Sequence, residues 1–336
     1  MTRAFEPRVA AQAIAVARDA GAREEGAGRL RVGLIVGPTG VGKTSFAIAL
    51  AEKLGAEIVN ADSRQCYRGM DIGTAKASPA ERRRVPHHLI DIRPADAPLD
   101  VAAFARLAHE AIAAIAGRRR PVLVVGGSGL YLRVLCGGIF AGPPACEKIR
   151  GELNALGDAP SLHRRLAEVD AASASWIAPN DRRRIVRALE VYNLTGVPLS
   201  EHQRRHAFTA RVYETLRIGL EIPRARLYAA INRRFDAMVA RGLVDEVRSL
   251  LAAGVKLDAL GTIGYRQIAA YLLGELDLAR AVELAKRDTR RLAKRQLTWF
   301  RHERATVWLD PARDLSVARE RLKAFFAGDD LHGTEN

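Results

Sequence analysis

Residues 37–44 read Gly37-Pro38-Thr39-Gly40-Val41-Gly42-Lys43-Thr44, a complete G-x-x-x-x-G-K-[ST] phosphate-binding loop. Its chemistry follows from its residue types. Glycines let backbone N–H groups close around phosphate oxygens, the Lys43 ammonium neutralises them, and the Thr44 hydroxyl can ligate Mg2+. A helix starting at Lys43 also points its positive end at the anion. The chain therefore handles a phosphate or diphosphate, and other residues must decide what is done with it.

Asn60-Ala61-Asp62-Ser63-Arg64-Gln65 closes the apolar run Glu57–Ala61. In open α/β sheets ligands sit beyond the carboxyl ends of the strands, so Asp62 is expected beside the phosphate loop. A carboxylate there can ligate Mg2+ through water or act as a general base, and a turn or N-cap aspartate is the structural alternative. A second glycine turn, Gly126-Gly127-Ser128-Gly129, follows the run Pro121–Val125 at the same edge. No acid ends that run, so the carboxylate that a phosphate-loop ATPase needs for its metal is missing. Asp91 is a poor substitute, with only Leu89 and Ile90 as apolar residues before it. ATP hydrolysis is therefore not expected as the main activity.

A single-sign ridge lies near residues 280–300. Lys286, Arg290 and Lys294 form one row at i, i+4 spacing, and Arg287, Arg291 and Arg295 form the next. Like charges so placed repel, and Asp288 is the one acid nearby to relieve them. Such a ridge, about 14 Å long at 1.5 Å per residue, suits a run of phosphates. Val282, Ala285, Leu292 and Trp299 would pack its far side. Asn180-Asp181 caps a further helix bearing Arg182, Arg183, Arg184 and Arg187, with Arg204 and Arg205 following. Gly261-Thr262-Ile263-Gly264-Tyr265-Arg266-Gln267 combines flexible backbone, an aromatic ring and a guanidinium, which suits a loop that stacks on or clamps a base, or a plain helix-capping turn. His202 and His206 lack the third ligand of a zinc site and read as surface residues. His87-His88 reads as structural.

These groups need a scaffold, and 336 residues are enough for one large or two moderate domains. Lys and Arg number 53 against 38 Asp and Glu, a formal charge of +15 that implies a polyanionic partner, nucleic acid or an acidic membrane surface. The membrane is the weaker candidate, because the apolar run Val122–Leu132 is cut by Arg133 before it could span a bilayer. Residues 1–31 are expected to be a flexible extension. Glu6, Asp19, Glu24 and Glu25 interrupt any signal-peptide pattern there. Cys66, Cys136 and Cys146 are odd in number and lack C-x-x-C spacing, as expected of unpaired thiols in a reducing cytoplasm.

Strands are expected at Val32–Val36, Glu57–Ala61, His88–Ile92 and Pro121–Val125, alternating with helices at 43–54, 79–84 and 100–116. Ala47, Leu50, Ala51 and Leu54 would line the first helix, and Val101, Phe104, Leu107, Ala111 and Ile115 the third. After Gly142-Pro143-Pro144 the pattern is helical to about residue 208. It returns to a strand at Thr215–Ile222, to helices over 224–304, and to a last strand at Thr306–Leu309. The expected fold is α/β: a P-loop NTPase-like parallel-sheet core (32–140 and 213–312, with C-terminal helices) interrupted by a helical insertion domain (141–212).

From Val32 to Asp310 the chain resembles the tRNA dimethylallyltransferase (tRNA isopentenyltransferase) family. The resemblance rests on an ordered set of blocks. The first are Gly37–Thr44, Asp62–Gln65 with Tyr67, Gly69-Met70-Asp71-Ile72-Gly73-Thr74-Ala75-Lys76 and Pro86-His87-His88-Leu89. They continue with Gly126-Gly127-Ser128-Gly129-Leu130-Tyr131, Asn180-Asp181 through Arg187-Ala188-Leu189-Glu190, Gly264-Tyr265-Arg266-Gln267, and Arg291 through Gln296-Thr298-Trp299-Phe300.

The resemblance implies transfer of a dimethylallyl group from its diphosphate to N6 of the adenosine at tRNA position 37, just 3′ of the anticodon. The loop at 37–44 would then hold dimethylallyl diphosphate with Mg2+ as cofactor. Asp62 matches the family's general base, Thr44 its metal or diphosphate contact, and Arg234 a diphosphate-side arginine that acts with Lys43. Contacts to the anticodon stem-loop are implied at Asp62, Ser63, Arg64, Gln65 and Ser128, at Arg183, Arg184, Ile185, Val186 and Arg187, and at Gly264, Tyr265, Arg266 and Gln267. Arg291 and Arg295 of the cationic ridge join them. The chain departs from the family at Ser128, where Thr is usual but the hydroxyl survives. It departs again at Ala230, where many members carry Arg, a role left to Arg233 or Arg226. The expected protein is a cytoplasmic monomer. A phosphate-loop kinase or an RNA-binding NTP switch are the alternatives, and ATP turnover with and without tRNA separates them.

Overall fold

Successive side chains of a strand point to opposite faces of a sheet, and here both faces are apolar. In β1 (Arg31–Val36), Val32, Leu34 and Val36 join one core cluster and Ile35 joins the other. In β4 (Val122–Gly126), Val122 and Val124 join the first cluster, Leu123 and Val125 the second. Strands of this kind need cover on both sides, which a parallel sheet with crossover helices provides. The computed structural model describes residues 29–140, 142–206, 210–303 and 305–329. Of the expected N-terminal extension, residues 1–28 lie outside the described residues.

Six strands form one parallel sheet in the order β3-β2-β4-β1-β5-β6. The remaining strands are β2 (Glu57–Asn60), β3 (His87–His88), β5 (Glu214–Leu220) and β6 (Thr306–Leu309). One face is covered by α1 (Lys43–Leu54), through Phe46, Ala47, Leu50 and Ala51, and by α14 (Leu315–Ala327), through Ala318 and Leu322. The other is covered by α3 (Val101–Gly117), α11 (Leu243–Ala252), α12 (Tyr265–Leu272) and α13 (Leu278–Arg301). Between these lie α2 (Pro79–Arg84), α4 (Gly129–Gly137) and α10 (Arg224–Ala240). Because β4 lies between β2 and β1, the carboxyl ends of all three open on one crevice.

Two expectations shift. The strand expected at His88–Ile92 is only His87–His88, because Leu89 and Asp91 turn into the left-handed region at φ 64° and 58°. Asp91 then pairs with Lys76 at 2.5 Å and Arg82 at 2.7 Å, which commits it to structure. The buried stripe of α3 runs through Phe104, Ala108, Ile112 and Ile115, leaving Leu107 and Ala111 half-buried.

Residues 137–211 form a second compact unit. It holds α5 (Glu147–Ala155), α6 (Ala159–Val169), α7 (Ala171–Trp176), α8 (Arg182–Thr195) and α9 (Leu199–His206) around Leu153, Leu162, Leu166, Ile185 and Leu189. Asp158, Asp170 and Asp181 each cap a helix by accepting the N–H of the residue three ahead. Fully buried Glu190 accepts from Arg150 at 2.8 Å, from Arg187 at 2.6 Å and from the Cys146 N–H at 2.7 Å, so its charge is paired.

In the larger unit, Glu246 of α11 performs a similar service for loop 69–76. Its carboxylate accepts the N–H groups of Asp71 (3.0 Å), Ile72 (2.7 Å) and Gly73 (3.1 Å), and the hydroxyl of Tyr265 (2.5 Å). Glu246→Ala should destabilise the protein by about 2–3 kcal/mol, and Tyr265→Phe, which removes one of the bonds, by about 1 kcal/mol. Urea denaturation checks the ranking. Equal losses, or none, would show that the loop does not depend on this carboxylate.

Candidate active site at the carboxyl edge of the sheet

The phosphate loop leaves β1 and becomes the first turn of α1. Lys43 curls back so that its Nζ donates to the carbonyls of Gly37 (3.0 Å) and Pro38 (2.8 Å). Burial pulls its pKa down to about 8. The Asp62 carboxylate opposes that shift and the Arg234 guanidinium adds to it. Both groups therefore act on the same ammonium. Arg234, on α10, donates to the Thr39 hydroxyl at 2.7 Å. Burial lowers its own pKa, and Asp62 again opposes.

Asp62 stands where β2 ends. Its N–H donates to Asn60 Oδ1 at 3.2 Å, and its Oδ1 accepts the Arg64 N–H at 2.8 Å. This turn leaves Oδ2 for other partners. The Ser63 N–H donates to Ser128 Oγ at 3.1 Å, which ties the β2 turn to the glycine turn after β4. Lys43, Thr44, Asn60, Asp62, Gln65 and His87 all line one hollow of ≈ 30 Å³. Gln65 is held there by donating to the carbonyls of Thr74 (3.2 Å) and Ala75 (3.3 Å), in the loop that Glu246 pins.

Mg2+ binds through one or two protein oxygens, with phosphate and water supplying the rest. The Thr44 hydroxyl and the Asp62 carboxylate on one hollow fit that requirement. Among the described residues there is no cluster of three or more His, Cys, Asp or Glu that could hold a metal ion.

Gln296, on α13, belongs to this site although spacing did not single it out. Its Oε1 accepts the Thr39 N–H at 2.8 Å and its Nε2 donates to the Gly127 carbonyl at 2.9 Å, clipping the two glycine turns together. A Cβ on Gly127 would lie 2.5 Å from that Nε2, so a larger residue there would push the amide away from the carbonyl it bonds. The available signals were its place in the block from Arg291 through Gln296 that carries the family resemblance, and an uncharged amide within a run of cations.

The cationic ridge is only partly exposed. Lys286 pairs with Asp236, Arg290 donates to Asn232 Oδ1 at 2.7 Å, and Arg287 pairs with Asp288 at 3.2 Å. Asp236 is thus a second acid relieving the row. Arg291, Lys294 and Arg295 remain exposed. With Arg133, Trp299 and His302 they line an open hollow of ≈ 690 Å³, in which the Arg133 guanidinium lies 4.3 Å from the Trp299 ring centroid. The buried seam of α13 is Ala281, Ala285, Thr289, Ala293 and Phe300, while Val282, Leu292 and Trp299 are half-buried.

Other expected contacts need correction. The Tyr265 ring is fully buried, and Gln267 is buried with its Oε1 accepting the Gly264 N–H at 2.9 Å. Neither side chain presents a face for a base, and the capping alternative holds for this turn. Arg266 is exposed but paired with Asp288. In the second unit, Ile185 and Val186 are core residues, and Arg187 is held by Glu190 and the Pro143 carbonyl. Arg183 and Arg184 are exposed in the first turn of α8. Of the arginines near Ala230, Arg233 is exposed and Arg226 lies 3.9 Å from Asp310.

Comparison with known proteins identifies the family. The family described as IPP transferase matches residues 65–303, and the ATPase family associated with various cellular activities matches residues 33–85. The tRNA dimethylallyltransferase of Syntrophobacter fumaroxidans is 53% identical over 84% of this chain and 84% of its own. That of Geobacter metallireducens is 50% identical over 84% of this chain and 93% of its own. The crystal structure of the tRNA isopentenylpyrophosphate transferase of Bacillus halodurans superposes with TM-score 0.66 at 38% identity, covering 88% of this chain and 97% of the other. A eukaryotic dimethylallyltransferase acting on tRNA superposes with TM-score 0.77 at 26% identity, covering 90% and 81%. With a family match over most of its length, relatives at half identity and the same fold, the chain belongs to the tRNA dimethylallyltransferase (IPP transferase) family.

Proposed function

We propose that this protein transfers the dimethylallyl group of dimethylallyl diphosphate to N6 of the adenosine next to the anticodon, at tRNA position 37, and releases diphosphate. The convergence of Asp62, Lys43 and Arg234 on the phosphate loop supports this above all. That convergence occurs where β4 ends in Val124-Val125-Gly126 without an acid to organise hydrolysis.

The lone pair of an exocyclic adenine amine is delocalised, so the amine is a poor nucleophile. Asp62 would accept the N6 proton as the new C–N bond forms. The C–O bond to the diphosphate breaks with its electron pair on oxygen. Lys43, Arg234 and the N–H groups of loop 37–44 would meet that growing charge in place, as preorganised donors do at other developing anions. Magnesium, held by Thr44 and the diphosphate, would add charge neutralisation there. The base must leave its stack to reach the crevice. Exposed Arg291, Lys294 and Arg295 would take the tRNA backbone, with Arg183 and Arg184 of the second unit. On this assignment the protein works as a cytoplasmic monomer. Among the described residues no helix is long and apolar enough to cross a membrane.

Single-turnover transfer to tRNA, with dimethylallyl diphosphate and Mg2+ as the only additions, tests the assignment. A strict ATP requirement would overturn it. In that assay Asp62→Asn should keep tRNA binding and lose about 10²–10⁴-fold in transfer. A near-wild-type rate would remove Asp62 from the base role.

Lys43 makes diphosphate binding pH-dependent. The free protein loses this ammonium as pH rises through about 8, and a bound polyanion raises its pKa again. Diphosphate affinity should therefore fall above pH 8, and binding there should take up a proton. Calorimetry in buffers of different ionisation enthalpy reads the uptake directly; no uptake at pH 8.5 would exclude Lys43 as the titrating group.

Arg291→Ala with Arg295→Ala should weaken tRNA binding and leave prenyl diphosphate binding unchanged. The log–log salt slope should shrink by about one for each tRNA phosphate that is no longer neutralised. Unchanged tRNA affinity and slope would mark these arginines as solvated surface.

A further inference from the structure

His87 reads as structural in sequence, yet its ring reaches the phosphate site. Nδ1 lies 2.7 Å from the Val85 carbonyl. A carbonyl only accepts, so Nδ1 carries the proton and the lone pair of the neutral ring is on Nε2. Burial lowers the pKa of this imidazole, which favours that neutral form. Nε2 is buried and has no hydrogen-bond partner among the described residues. Buried polar atoms are nearly always paired, so an open acceptor on a residue that lines the hollow calls for a water or ligand donor.

The surroundings narrow the donor. His87 lines the hollow shared by Lys43, Thr44, Asn60, Asp62 and Gln65. The Asn60 amide already donates to the carbonyls of Asp62 and Leu89, and that of Gln65 to Thr74 and Ala75. Ionised Asp62 can only accept. The hollow measures ≈ 30 Å³, enough to admit a water. A water in that hollow would find the Thr44 hydroxyl and the Asp62 carboxylate on the same lining as His87.

We propose that His87 is a positioning residue of the diphosphate site, its Nε2 accepting a hydrogen bond from a water between Thr44 and Asp62 that becomes part of the magnesium shell when the metal–diphosphate complex binds. This rests on the assignment of loop 37–44 to a magnesium-bound diphosphate. His87 would then orient the ion through its water without touching the reacting atoms, as outer-shell partners do at other metal sites.

Two substitutions separate this from a structural role. His87→Asn keeps an N–H for the Val85 carbonyl and removes the Nε2 acceptor. His87→Gln places an amide oxygen near the Nε2 position. The measurement is calorimetric binding of inorganic diphosphate, with Mg2+ and with EDTA. In Mg2+, H87N should bind about 10-fold more weakly than wild type, the lower end for loss of an outer-shell partner, and H87Q should recover most of that loss. In EDTA all three should bind alike. Wild-type affinity for H87N in Mg2+, or equal losses in both variants with and without metal, would overturn the proposal.

If H87N does not fold, nitrogen NMR of the wild-type histidines decides. Nε2 of His87 should shift when Mg2+ and diphosphate are added together, and Nδ1 should not. An unmoved Nε2 overturns the role of His87 alone. Failure of the wild-type protein to bind diphosphate with Mg2+ would overturn the assignment of the loop itself.

Discussion

Lys43 carries an ammonium where burial disfavours one, and much of the surrounding structure is arranged about that charge. Two loop carbonyls, of Gly37 and Pro38, hold it. Asp62 favours the charged form and Arg234 disfavours it, so two cations and one carboxylate share a small volume. The imbalance is positive, and the ligand that relieves it is an anion. A diphosphate does so more fully than any rearrangement of these side chains, because loop N–H groups add their partial charges on the same side.

Holding that charge pattern in place is a long-range task. The phosphate loop follows β1, Asp62 follows β2, and the second glycine turn follows β4. The parallel sheet brings these ends to one edge, and three hydrogen bonds then fix their spacing. Ser128 takes the Ser63 N–H, while Gln296 takes the Thr39 N–H and gives to Gly127. The partner residues are far apart in sequence, so the geometry of the edge exists only once α13 has docked. Small residues along the α13 seam, Ala281, Ala285 and Ala293, permit the close approach this requires.

A second network reaches the site from behind. Glu246 fixes loop 69–76 and the Tyr265 hydroxyl, and that loop offers the carbonyls that hold Gln65. Gln267 caps α12 and reaches Asp288, which also pairs with Arg266, Arg287 and, more distantly, Arg291. A turn that has the composition of a base clamp is therefore a brace between the loop supporting Gln65 and the helix carrying the exposed cations. The same residue types serve both purposes, and burial decides between them. A fully buried ring cannot stack on a ligand.

By itself the sequence determined the phosphate loop, the parallel α/β core, the helical character of residues 145–206 and the need for a polyanionic partner. Each of these rests on local information: a contiguous motif, the period of apolar residues, or a charge total. Strand edges were legible to within a residue or two, except where Leu89 and Asp91 turn left-handed and end β3, a backbone event that apolar composition does not report. Only the tertiary structure decided which charged groups are spent internally. It turned Lys286 and Arg290 toward Asp236 and Asn232 on α10, committed Arg187 to Glu190, and buried Tyr265. It also brought Gln296 and His87 to the loop. The physical reason is that pairing and burial depend on which helix packs against which, and the side chains concerned are separated by tens to hundreds of residues that carry no periodic trace of the pairing.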